Sequence, residues 1–234
     1  MLNTIGKNTN LKLKDSSGKI KNIQLPHFRM SNEKRQRAND FIQRGNDKPM
    51  MYFITKDIGY VNLGVLRTIH VDSMFNMFRN TKAIIFDIRN NARSTSHLIT
   101  PRLSEKNKQR GGGKKDLPGW DLVDSIETKR KGWIYKGKTI GLIAESTQSH
   151  GEATTENLKA ANATLIGNHT AGANGDIRSF FVPGNIRLTF SGHGSAMQGK
   201  GIQPDILVKP TIKGIQQGRD EILERAVKFL ETGK

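Results

Sequence analysis

The 234-residue sequence predicts a layered α/β domain. Two observations carry that expectation. Short, continuous apolar runs end in polar residues, as strands buried on both faces do. Segments with apolar residues at helical spacing separate those runs, the alternation that builds sheets covered by helices.

The elements follow in chain order. Residues 10–25 read as strand, turn, strand, with Asp15-Ser16-Ser17-Gly18 supplying the turn chemistry. A two-stranded hairpin is marginal alone in water, so this one is expected to belong to a larger unit. Residues 26–49 are charged and weakly patterned and read as a linker. One or two strands lie within 52–66, around Gly59-Tyr60-Val61-Asn62-Leu63. Val71, Met74, Phe75 and Phe78 have helical spacing. Ala83–Ile88 and Thr139–Ala144 are the buried apolar runs. A helix is expected over 152–163, a short strand over Thr164–Gly167, an alternating strand over Ile186–Phe190, and a final helix with Ile222, Ala226, Phe229 and Leu230 on one face.

Composition narrows the function. Lysine and arginine exceed aspartate and glutamate by 17, which raises nucleic acid, anionic surfaces and acidic substrates as partners. No aromatic-interleaved basic motif accompanies that charge, so nucleic acid is not expected. The basic stretch 104–115 carries the triple glycine Gly111-Gly112-Gly113 without the trailing Lys-Ser/Thr of a P-loop and reads as a solvated insertion. Cysteine is absent, removing disulfides, thiolate metal sites and a cysteine nucleophile together. No apolar stretch approaches the roughly 18 residues of a membrane span. Neither a metal nor a cofactor is expected.

Residues 141–154 read as strand, sharp turn, helix, with Ser149 at the turn. One reading makes Ser149 the helix cap, a common task for serine. The other makes it a nucleophile, seated where unsatisfied N–H groups of a helix start can hold an oxyanion. Phe86-Asp87-Ile88-Arg89-Asn90-Asn91, Thr147-x-Ser149-x-x-Glu152, Thr170-Ala171-Gly172 and Gly201-Ile202-Gln203-Pro204-Asp205 follow one another in the chain. In that order they resemble the motifs of the C-terminal processing peptidases and tricorn-core serine proteases.

The resemblance, spanning about Met51 to Leu230, implies a ClpP/crotonase-like layered core. It implies a serine endopeptidase acting on extended polypeptides through an acyl-enzyme on Ser149. Glu152 would orient the site, and the oxyanion hole would be formed by the His150 N–H with a backbone N–H of Arg93 or Ser94. It further implies that residues 1–26 are the last strands of a truncated PDZ-like module, 27–50 a linker and 51–234 the peptidase core. A bacterial cell-envelope or secreted location is implied as well. The sequence does not indicate an oligomeric state.

Two positions depart from that pattern. The lysine base of the processing peptidases is replaced by Ala173, and no lysine lies between Lys159 and Lys200. This points to the tricorn-like branch, whose base is a histidine ahead of the PDZ-like module and therefore outside this chain. His97, His150 and His193 are the local alternatives. Ala92-Arg93-Ser94 stands where the family carries paired glycines, which leaves open a catalytically impaired domain that binds peptides or an apolar ligand.

Overall fold

The computed structural model describes residues 8–15, 17–26, 49–90, 92–104, 132–194 and 198–233. The linker expected over 26–49 and the basic glycine stretch fall mostly outside these residues.

A six-stranded sheet forms the centre, in the order β10-β7-β6-β5-β4-β3. Its strands are β3 (Met51–Thr55), β4 (Ile58–Asn62), β5 (Ala83–Asp87), β6 (Lys138–Ile143), β7 (Thr164–Gly167) and β10 (Ile206–Leu207). All neighbouring pairs are parallel except β3–β4, which is antiparallel with a shift in register between Phe53 and Thr55.

β5 is buried at every position. Alternation sends Ile84 and Phe86 to one face, where they pack with Val71, Met74 and Phe75 of α1 (Val71–Met77) and Leu158 of α3 (His150–Ala160). Ile85, Ile140, Leu142 and Ile166 face the other way, against Ile222 and Ala226 of α5 (Glu221–Thr232). The mixed α/β class with a mostly parallel central sheet is therefore as expected. The short α2 (Ser96–Ile99) and α4 (Ile212–Gln216) were not foreseen.

Two antiparallel hairpins form sheets of their own: β1 (Asn8–Lys14) with β2 (Ile20–Pro26), and β8 (Gly175–Val182) with β9 (Ile186–Gly194). The first turns where expected. Asp15 Oδ1 accepts from the Ser17 and Lys19 N–H groups, each at 3.0 Å.

Helix α3 begins at His150, two residues before the expected start, so Ser149 stands directly against its first turn. This position follows from the backbone of Ser149 itself.

Candidate active site

The C-terminal ends of β5, β6 and β7 bring the motif segments together, the edge where open parallel sheets place ligands. After β6 the chain closes a tight turn. The Thr147 N–H donates to the Ala144 carbonyl at 2.8 Å, and the Thr147 hydroxyl accepts from the Ala144 N–H at 3.1 Å. Thr147 is fully buried.

Ser149 then adopts φ 49° and ψ −117°, a left-handed conformation that non-glycine residues seldom take. Such strain costs on the order of 1–3 kcal/mol and persists only where the surroundings impose it. Here the Ser149 N–H donates to the Ala173 carbonyl at 2.9 Å, and the Ala171 N–H donates to the Thr147 carbonyl at 2.9 Å. The Ser149 carbonyl accepts from the Glu152 and Ala153 N–H groups. The connection 144–149, closed by this one strained residue, thereby turns a strand into an 11-residue helix.

The Ser149 side chain is exposed and makes no capping hydrogen bond, so the cap reading fails. No described residue accepts the His150 N–H, one of the donors a helix start leaves free. The hydroxyl therefore stands in solvent beside an uncommitted amide at a positive helix end.

Glu152 points inward and is completely buried. Its Oε1 accepts from the Thr170 hydroxyl and from the Gly172 N–H at 2.8 Å, while Oε2 has no partner among the described residues. Thr170 passes the connection on, since its hydroxyl accepts from the Ile202 N–H at 2.7 Å. Gly201 must come close at that point. Its φ is +68°, and a Cβ there would lie 2.4 Å from the Thr170 carbonyl oxygen. Glu152 thus ties the start of α3 to the loops at 170–172 and 201–202, and it is not hydrogen-bonded to the Ser149 hydroxyl.

The 92–94 segment meets the other side of the helix start. The His150 imidazole hydrogen-bonds the Arg93 backbone, and its Nε2 is buried without a partner among the described residues. Burial pulls the His150 pKa below its ordinary value, the Arg93 bond opposes that shift, and nearby His97 adds to it. The Arg93 N–H, one of the expected oxyanion donors, is committed to the Leu63 carbonyl at 2.9 Å, and its Nε to the Gly64 carbonyl at 3.0 Å. The Ser94 N–H has no acceptor among the described residues.

Two of the recognised motifs are braces. Buried Asp87 accepts from the Tyr60 hydroxyl at 2.7 Å and from Arg89 Nε at 2.9 Å. Arg89 also donates through its Nη1 to Asp220 at 2.7 Å, and Asp220 caps α5 by accepting from the Leu223 N–H. Burial opposes the Arg89 charge, but the two carboxylates hold its pKa well above the usual arginine value. Asp205 of the last motif accepts from the Leu165 N–H at 2.8 Å and returns its own N–H to the Leu165 carbonyl, fixing β10 beside β7.

No described histidine side chain hydrogen-bonds the Ser149 hydroxyl. His97 lies half-buried on α2, and His193 lies on β9 with its side chain outside the described set. Sequence reasoning overlooked His169, whose Nδ1 lies 3.0 Å from the Thr170 carbonyl, and Asn168, which donates to Glu145. Their only signal was proximity to the Thr-x-Gly motif. Among the described residues no group of three or more His, Asp or Glu is placed to hold a metal, and no helix is long and apolar enough to cross a membrane.

Solved structures share this fold. A putative peptidase from Parabacteroides merdae is 22% identical, with a TM-score of 0.58 over 84% of this chain and 69% of that one. Mature CPAF is 14% identical, with a TM-score of 0.59 over 97% and 68%. A putative S41 protease from Bacteroides fragilis is 16% identical, with a TM-score of 0.53 over 96% and 66%. The chain thus spans about two thirds of each. No curated protein sequence matches it. The family model described as peptidase family S41 matches residues 57–208. The chain belongs to that family, and is a serine-type peptidase.

Proposed function

We propose that Ser149 is the nucleophile of a serine endopeptidase that cleaves extended polypeptides. The observation that carries this reading is the forced positive-φ backbone of Ser149, which leaves its hydroxyl exposed and without a capping bond beside a His150 N–H that no described residue accepts. A serine used only for capping gains nothing from that strain.

In this reading Ser149 Oγ attacks the scissile carbonyl carbon while a general base removes its proton. The His150 N–H and the Ser94 N–H hold the oxyanion. The tetrahedral intermediate collapses as the base returns the proton to the leaving amine, forming an ester on Ser149, and water then hydrolyses that ester. Glu152 positions the helix start through Thr170 and Gly172. The base is supplied from outside these 234 residues, by a histidine as in the tricorn-like branch. Residues 1–26 are the end of a PDZ-like module, 27–50 a linker and 51–234 the core. The hairpin β1–β2, which pairs with no further strand among the described residues and leaves Leu13, Ile20 and Ile23 exposed, supports the first of these assignments.

The commitment of the Arg93 N–H to Leu63 favours a second reading, an impaired domain that binds peptides without cleaving them. Turnover separates the two. A chain extended upstream through a complete PDZ-like module is expected to degrade an unfolded protein, with Ser149→Ala abolishing the activity. Binding without cleavage in both proteins would support the second reading.

A further inference from the structure

The β8–β9 hairpin is two strands wide and carries an apolar face that the described residues leave uncovered. Register places Phe180 opposite Leu188, Val182 opposite Ile186 and Arg178 opposite Phe190. These six side chains therefore share one face, because strand residues two apart point the same way. Phe180, Ile186, Leu188 and Phe190 are 51%, 56%, 44% and 49% exposed. The Phe180 and Phe190 rings meet edge to face at 6.0 Å. A lone two-stranded ribbon is marginally stable, so leaving such a face in water is costly.

We propose that this face binds apolar side chains of the polypeptide substrate on one side of the scissile bond. The inference rests on the peptidase reading above and names the substrate class of that same site. Two arguments select this occupant. The first is continuity: β8 begins at Gly175, two residues beyond Ala173, whose carbonyl holds the Ser149 N–H. The second is size. Half-exposed side chains of this kind present on the order of 400 Å², about half of the roughly 800 Å² per partner that a stable dimer buries. An extended segment needs no more than that.

Strand geometry sets the position of recognition. At about 3.3 Å per residue, the apolar pairs lie roughly 10–25 Å along the ribbon from Gly175. An extended substrate running beside the ribbon from Gly175 meets them over about the third to the seventh residue. Alternating apolar residues in that window are the expected recognition pattern.

The test uses the full chain carrying Ser149→Ala, so that binding is read without turnover. Fluorescein-labelled peptides carry either alternating leucine or alternating serine in that window, and anisotropy reports their affinity. The leucine peptide is expected to bind at least about tenfold more tightly, and Phe180→Ser with Leu188→Ser to abolish the difference. Phe180→Leu with Phe190→Leu, which keeps the surface apolar, is expected to preserve it. Equal binding of the two peptides, an unaffected serine variant, or loss in the leucine variant overturns the proposal. A concentration-dependent dimer in sedimentation that the serine variant dissolves also overturns it, in favour of a second copy as occupant. Failure of the upstream-extended wild-type protein to hydrolyse any peptide rejects the peptidase reading and leaves these binding results standing.

Discussion

At the scale of single residues, Glu152 and His150 differ in what they hold. Glu152 is fully buried and satisfies two donors, the Thr170 hydroxyl and the Gly172 N–H. Removing it leaves both without an acceptor, at about 1–3 kcal/mol for each buried group. Glu152→Ala is therefore expected to destabilise the fold by about 2–6 kcal/mol in urea unfolding. Glu152→Gln keeps an accepting oxygen and is expected to cost less. His150 makes a different prediction. Burial depresses its pKa in the folded state below the ordinary 6.5. The unfolded chain therefore takes up the proton first as pH falls. The stability this group contributes is complete above about pH 6.5 and is lost as the pH drops through the folded value. Melting temperatures between pH 7.5 and 5 should fall less steeply for His150→Gln than for the wild type.

Elements explain which parts of the sequence were legible. β5 and β6 were plain because burial on both faces writes a continuous apolar run. α5 was plain because its covering face repeats Ile222, Ala226 and Phe229. The start of α3 was misplaced by two residues, since Glu152 reads as a first-turn acid and the positive φ of Ser149 leaves no compositional trace. β8 was missed for a related reason. Its apolar side chains face outward, so the pattern that separates core from surface is lost there. The role of Arg93 was equally hidden, because its N–H partner, Leu63, is thirty residues away.

Braces between elements yield their own prediction. Arg89 links the end of β5 to the cap of α5, and Asp87 beside it is 1% exposed. Arg89→Met strands that carboxylate in the interior, a loss of about 3–5 kcal/mol. Asp220→Ala removes the cap and one end of the bridge while leaving Asp87 paired, so its cost should be smaller, nearer the ~1 kcal/mol of a lost cap. Chemical denaturation of the two variants side by side checks that order.

Over the whole molecule, the ordering of four short motifs proved more informative than any one of them. Two are braces, at Asp87–Arg89 and Asp205, and two build the turn around Ser149 and Glu152. The parallel sheet gathers the first three, with Gly201 and Ile202 of the fourth, at its C-terminal edge, while Asp205 stands at the start of β10 beside Leu165. The formal charge of +17 contributed nothing to locating that edge.

The central claim is that this hydroxyl attacks. A fluorophosphonate applied to the upstream-extended protein, read by intact mass and peptide mapping, tests it directly. A single adduct on Ser149 that disappears in Ser149→Ala is the expected result. No adduct, or one that survives the substitution, contradicts it.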